Sequence, residues 1–323
     1  MVRELVRALG LKKCNFEFYS DGGGGWNCGA VLSGAMLVHS GICKNVLVFK
    51  ARNRYSQGRA ARAERANDVK GDAQFTTPFG IHHAAASFGP IATAHMARYG
   101  TTTLDFAHLA VTERSHAALN QKAMMRKPIT IDDHQNSRWI IYPFRLLDCC
   151  QESDGAVAVV VVGLDRARDR PHRPAVISAA AQGAGPDQFT MTSYYRDDLT
   201  GLPEMGLVGG QLWRQAGIGP ADVRTAVLYD HFTPYVLIQL EELGFCGRGE
   251  ARDFIAGGAI ELGGRLPVNP HGGQLGEAYI HGMNGIAEAV RQVRGTSVNQ
   301  VPGDGPVLVT AGTGVPTSGL ILS

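Results

Sequence analysis

The segment His271-Gly272-Gly273-Gln274-Leu275-Gly276-Glu277-Ala278-Tyr279-Ile280-His281-Gly282 holds four glycines and two histidines in twelve residues. Composition alone does not produce such a cluster. Histidine can exchange a proton or hydrogen-bond a reacting oxygen near neutral pH. Glycine lets the backbone turn sharply or approach a ligand closely. Tyr279 lies inside the segment, eight residues after His271. A second run, Tyr229-Asp230-His231-Phe232-Thr233, offers another tyrosine beside a carboxylate and a histidine. A free tyrosine has a pKa near 10, so a base role needs a lowered value or proton transfer coupled to partner groups. His271 and His231 are the candidate partners. The bland alternative for a tyrosine is a half-buried aromatic with a wet hydroxyl. Two tyrosines set beside motif histidines favour acid–base chemistry over it.

Other candidates are weaker. Gly22–Gly25 is a glycine run, yet it is neither GxGxxG nor a Walker A loop, so a phosphate cradle is disfavoured. Its better use is to clear space for a bulky substrate. The six cysteines, at 14, 28, 43, 149, 150 and 246, form no CxxC pair, so no zinc site or redox dithiol is expected. His82, His83 and His281 have no carboxylate or cysteine at metal-ligand spacing, which favours surface or supporting roles. Arg52, Arg54, Arg59, Arg62 and Arg65 form a basic stretch that could meet the phosphates of a ligand, though a solvated loop is the commoner explanation.

The elements that must hold these groups alternate between strand and helix. Residues 1–11 have helical spacing, as does Ala30–His39, ending at Gly41. Asn45–Lys50 and Ala156–Val162 read as core strands, separated by a long excursion (51–89) and helices at Pro90–Tyr99 and Asp105–Gln121. A charged, proline-bearing run, 163–174, reads as a boundary between half-domains, giving 1–165 and 174–323. Beyond it come a strand at Ala175–Ala181, a helix at Met205–Ala216 and a strand at Thr225–Tyr229. A helix at Val236–Leu243 is closed by Gly244. One helix is expected over Gly276–Val293, with Tyr279 at its start, and closing strands at Pro306–Ala311 and Gly319–Leu322. This alternation predicts an α/β fold with largely parallel pairing.

At 323 residues, 44% hydrophobic and 19% charged, the chain is large enough for one big globular domain or two fused halves. The net charge of +2 argues against a dedicated nucleic-acid binder. No run of 18 apolar residues occurs, so no membrane span is expected. Scattered cysteines and the lack of a leader pattern point to a cytoplasmic setting.

Several stretches, covering essentially the whole chain, resemble the thiolase superfamily. His271–Gly282 is similar to its HGG-x-x-G-x-x-x-x-HG signature, in which the first histidine faces a thioester carbonyl. Glu152-Ser153-Asp154-Gly155-Ala156 is similar to the segment ending the first thiolase half. Tyr229–Thr233 followed by Leu240–Cys246 looks like the YDxF and LExLGFC segments of the sterol-carrier-protein-type thiolases. Ala311-Gly312-Thr313-Gly314 sits where thiolases carry a C-x-G loop. The resemblance implies two βαβαβαββ halves in a five-layered αβαβα sandwich, usually a homodimer. The first strands and helices of the first half have no counterpart here, so the N-terminal half reads as truncated at its start.

The resemblance also exposes what is changed. The thiolase nucleophile, a cysteine at a helix N-terminus, falls at Gly24. The second thiolase cysteine falls at Thr310 (or Ala311), and the asparagine of the usual NEAF loop at Tyr229. This pattern looks like the thiolase-like steroid side-chain aldolases, whose proposed acid and base are two tyrosines matching Tyr229 and Tyr279. The resemblance implies catalytic roles for Tyr229, Tyr279 and His271, and substrate contacts from Gly24, Gly25, Asp230, His231, Gly272, Gly273 and Gly312. The implied reaction is retro-aldol cleavage of a β-hydroxyacyl-CoA bearing a tertiary alcohol, giving a ring ketone and a short acyl-CoA such as propionyl-CoA. No cofactor is expected beyond the coenzyme A of the substrate, and no metal. The implied partner is a small OB-fold, zinc-ribbon subunit of the domain-of-unknown-function-35 type. Two alternatives stay open: a non-catalytic acyl-CoA or lipid carrier, and an acetyl-CoA acyltransferase using Cys28.

Overall fold

The computed structural model describes residues 2–20, 23–56, 69, 71–81, 83–186, 188, 194, 196–314 and 317–323. Gly22, Arg59, Arg62, Arg65 and His82 lie outside them.

The strands are β1 (Asn45–Asn53), β2 (Trp139–Ile141), β3 (Phe144–Arg145), β4 (Asp154–Val162), β5 (Ile177–Gly183), β6 (Thr225–Val227), β7 (Val307–Ala311) and β8 (Thr317–Leu322). β5, β8, β7 and β6 form a sheet in that order. Every residue of β6, β7 and β8 is buried. They carry no charged residue, and their only polar groups are the small hydroxyls of Thr225, Thr310, Thr317 and Ser318, because both faces of the sheet are covered.

Side-chain alternation sends the two faces into two cores. Leu308 and Ile321 join a core with Val208 and Leu212 of the helix Pro203–Ala216 and with the helix Thr233–Glu242. Val307, Val309, Leu320 and Leu322 join a second core with Cys28 and Val31 of the helix Asn27–His39 and with the helix Met283–Arg294. On the far side of that helical layer lies the β1–β4 ribbon, which contributes Val161. The described layers therefore run helix, sheet, helix, sheet. Among the described residues the outer face of the ribbon has no helical cover: the cross-strand pair Leu47 and Val160 is 37% and 61% exposed.

The pairing differs from the expectation of a largely parallel sheet. Among the described strands only β6–β7 is a parallel pair; β1–β4, β5–β8 and β7–β8 are antiparallel. β7 and β8 are joined by a short connection, which permits only antiparallel pairing, whereas β6 reaches β7 through a long helical crossover.

The expected helix over Gly276–Val293 is broken. One short helix covers Gly273–Gly276 and another starts at Met283. Between them His281 has φ +54° and Gly282 φ +83°, left-handed values that a continuing helix excludes. Tyr279 therefore lies in an extended link, bridged to Glu152 beside β4. Proline at 90 falls inside the helix Ala84–Tyr99 rather than starting it, because its first turns begin at Ala84, capped by His83.

Candidate active site

The parallel strands β6 and β7 end side by side, and the chain leaves β6 as Leu228-Tyr229-Asp230-His231. Functional groups of open α/β sheets gather beyond such carboxyl ends. Tyr229 is 6% exposed. Its backbone is fixed twice: its N–H donates to Thr310 Oγ1 at 3.0 Å and its carbonyl accepts from Gln239 Nε2 at 2.7 Å. Thr310 in turn donates to Gln239 Oε1 at 2.7 Å. The position matching the second thiolase cysteine is thus a structural hydroxyl.

The Tyr229 ring sits between two glycines. A Cβ at Gly24 would fall 2.1 Å from the Tyr229 hydroxyl, and one at Gly282 would fall 2.8 Å from its Cδ2. The glycine run is expected to clear space for substrate; at Gly24 that space is taken by the tyrosine instead. Gly25 lies further along, its carbonyl accepting from Ser318 Oγ at 2.5 Å.

The Tyr229 and Tyr279 phenols are neighbours, close enough for each to shift the ionisation of the other. Burial pushes both phenols up, so both are protonated at neutral pH. Tyr229 is raised further by Tyr279. Tyr279 is raised further by Cys150, but Arg54, Arg52 and Tyr229 oppose the rise. Arg52, on β1 opposite Gly155, reaches His281 with Nη2 at 2.6 Å from Nδ1 and 3.2 Å from Nε2. The Tyr279 ring lies 4.6 Å from that imidazole, centre to centre. Burial and the nearby Arg52 press the His281 pKa down to about 2, so the ring is neutral.

His271 is 1% exposed, and neither ring nitrogen has a hydrogen-bond partner among the described residues. Its Nε2 is 3.7 Å from Glu277 Oε2. Glu277 is held by Asn120 Nδ2 at 3.1 Å, Asn284 Nδ2 at 3.2 Å and Arg291 at 3.3 Å. Both amide atoms of Gln274 and Oδ1 of Asn284 also lack hydrogen-bond partners among the described residues. A buried polar group left unpaired costs about 1–3 kcal/mol. These orphans surround one small cavity of about 10 Å³, lined by Tyr229, Asp230, His271, Gln274, Gly282, Asn284 and Thr310. Hydrogen-bonding capacity turned inward on a cavity suits a polar ligand atom such as a thioester oxygen.

The remaining expected contacts are engaged in packing. Asp230 is 1% exposed, and its Oδ2 accepts from the backbone N–H of Gln274 at 2.7 Å and Leu275 at 3.0 Å. It ties the Tyr229 loop to the His271 loop. Gly272 and Gly276 pack on the helix Thr103–Leu119, where a Cβ on either would come within 2.5 Å of Ala117 Cβ. Gly273 makes room for the Asp230 carboxylate. His231 meets Thr313 Oγ1 at 3.1 Å among Phe88, Phe232 and Tyr235, and burial lowers its pKa to about 3. Gly312 has φ +80° and turns the chain out of β7. Arg52 belongs to the basic stretch, yet nothing in the sequence of that stretch sets it apart from the other arginines. Cys150, Gln274, Glu277 and Asn284 carried no signal of their own.

Cys28 lacks what a nucleophile needs. It is fully buried, its thiol is pushed up by that burial, and its Sγ faces the Val309 carbonyl at 3.8 Å. Among the described residues, no group of three or more His, Cys, Asp or Glu could hold a metal ion, and no helix is long and apolar enough to cross a membrane.

Residues 187–322 match the family described as thiolase C-terminal domain-like. The chain is 60% identical to the 17-hydroxy-3-oxo-4-pregnene-20-carboxyl-CoA lyase of Mycobacterium tuberculosis, over 98% of this chain and 84% of that one. It is 58% identical to the steroid side-chain-cleaving aldolase of Thermomonospora curvata, over 98% and 83%. The solved structure of an Ltp2-ChsH2(DUF35) aldolase superposes with a TM-score of 0.94 at 57% identity, covering 99% of this chain and 83% of that one. The dimeric peroxisomal thiolase of Saccharomyces cerevisiae, 14% identical with a TM-score of 0.61, shares the fold alone. A thiolase frame without its thiol nucleophile, and identity of this extent, agree: the chain belongs to the steroid side-chain-cleaving aldolases of the thiolase superfamily.

Proposed function

We propose that this protein cleaves a β-hydroxyacyl-CoA whose tertiary hydroxyl sits on a steroid ring, releasing a ring ketone and a short acyl-CoA. On a substrate like the one named for the mycobacterial relative, the short product is propionyl-CoA. The observation that carries this reading is the paired tyrosines: Tyr229 fills the nucleophile's place above Gly24 and stands beside Tyr279, each phenol shifting the other.

Retro-aldol cleavage moves one proton from the substrate hydroxyl to the α-carbon of the thioester, with no net gain or loss. Two neutral, neighbouring phenols suit that transfer, because neither must be ionised beforehand. As the carbon–carbon bond breaks to the ketone and a thioester enolate, Tyr229 gives its proton to the enolate carbon and takes the proton of Tyr279, while Tyr279 takes that of the substrate hydroxyl, so neither phenol ever holds two protons. The cations Arg52 and Arg54 favour Tyr279 as the group that gathers transient negative charge. His271 donates to the enolate oxygen from the cavity, with Gln274 and Asn284 beside it. A donor of this kind is worth about 10²–10³ in rate.

The similar solved aldolase, by its name, pairs Ltp2 with a DUF35 protein, ChsH2. We infer that this chain also works with such a subunit, of OB-fold and zinc-ribbon type, and as a homodimer. Incubating the chain, with and without the partner, with a β-hydroxyacyl-CoA and analysing the products by mass spectrometry tests the reading. Ketone and short acyl-CoA are expected, with full cleavage only when the partner is present. Binding without product would favour a carrier.

A further inference from the structure

A second pair of groups behind the site is not used by the chemistry above. Glu113, on the helix Thr103–Leu119, is 0% exposed, and Asp230 is 1% exposed. Glu113 Oε1 accepts from Asn269 Nδ2 at 2.7 Å, while Oε2 has no donor from any described N–H or O–H. That oxygen is turned toward Asp230. A Cβ on Gly273 would be 2.1 Å from Asp230 Oδ2 and 2.9 Å from Glu113 Oε2, so both oxygens converge on one point. Two carboxylates this close cannot both be charged in a buried site. Asp230 already receives two backbone N–H groups, which suit an anion. The proton therefore belongs on Glu113, where burial first and Asp230 second hold the carboxyl well above the usual range.

The connections explain what the pair could achieve. Asn269, held at φ +48°, spans Glu113 and both backbone groups of Leu228, at 2.8 Å and 3.0 Å. Asp230 spans Glu113 and the backbone just past His271. Glu113 thus grips the residues on either side of Tyr229 and, through Asp230, the His271 loop.

We propose that Glu113 is a positioning residue of the aldolase reaction, its carboxyl proton shared with Asp230 to fix Tyr229 relative to His271. This rests on the aldolase reading given above. In Glu113→Gln the amide donates where the carboxyl proton did and still accepts from Asn269. In Glu113→Leu both links are lost. A displacement of about 1 Å at a reacting group costs about 10²-fold.

The experiment compares both variants with wild type in the presence of the same partner and substrate. Glu113→Leu is expected to lose about 10²-fold in kcat with little change in KM, and Glu113→Gln to restore kcat to within a few-fold. Infrared spectra at neutral pH should contain a protonated-carboxyl band in wild type that Glu113→Gln removes. Equal loss of kcat in both variants, or wild-type kcat in Glu113→Leu, overturns the proposal. So does absence of the band, or its survival in Glu113→Gln. The spectrum decides even if Glu113→Leu fails to fold. Wild-type protein that cleaves nothing would sink the aldolase reading, while the band would still report the shared proton.

Discussion

The hydroxyl of Tyr229 lies 2.1 Å from where a Cβ on Gly24 would project. The two residues therefore exclude each other's side chains: the chain can hold a nucleophile at 24 or a tyrosine at 229, not both. Gly24→Ala should displace the phenol and lower kcat by about 10²-fold, with the fold intact by circular dichroism. Gly24→Cys should lose cleavage equally and gain no thiolysis. Wild-type cleavage by Gly24→Ala would show that the phenol's place is not needed.

Tyr229→Phe and Tyr279→Phe should each lower kcat by about 10²–10⁴-fold, the range for a proton-transfer group. Because the phenols act as one relay, the double variant should be scarcely worse than either single one. Steady-state kinetics on all three, beside thermal melts, checks this. Multiplying losses would mean independent roles.

His271→Ala should lower kcat by about 10²–10³-fold with smaller changes in substrate affinity. Its ring nitrogens have no hydrogen-bond partner among the described residues to lose, so stability should hardly fall. A large drop in melting temperature with unchanged kcat would make His271 a packing residue.

His116, His231 and His281 are buried with pKa values pressed down to about 4, about 3 and about 2. Their unfolded value is near 6.5. Between these values the unfolded chain binds more protons, so stability must fall as pH drops below about 6.5. Each such histidine contributes a slope of about 1.4 kcal/mol per pH unit in that window. Urea denaturation at several pH values should show it, and His231→Gln should flatten the slope by about one such increment. An unchanged slope in that variant would mean that His231 is already charged in the fold.

The twelve-residue motif, the second tyrosine and most strands and helices were legible because they rest on local spacing. The helix break at Tyr279 was not, since periodicity over Gly276–Val293 cannot reveal that His281 takes a left-handed φ. Strand direction was missed because alternation of elements does not distinguish a crossover from the short β7–β8 return. Glu113 and Arg52 come from a helix and a strand far from the motif in sequence; only tertiary packing sets one behind Asp230 and the other on His281. The thiolase likeness located Gly24, but the reason for a glycine there, the Tyr229 hydroxyl, is a contact across the fold.

The most direct test of the central claim is to run the cleavage in deuterated water and weigh both the acyl-CoA product and the protein. A tyrosine relay predicts a ketone, a short acyl-CoA carrying a single solvent-derived deuterium on its α-carbon, and protein with no acyl adduct, unchanged by Cys28→Ser. An acyl group on Cys28, with loss of turnover in Cys28→Ser, would contradict it.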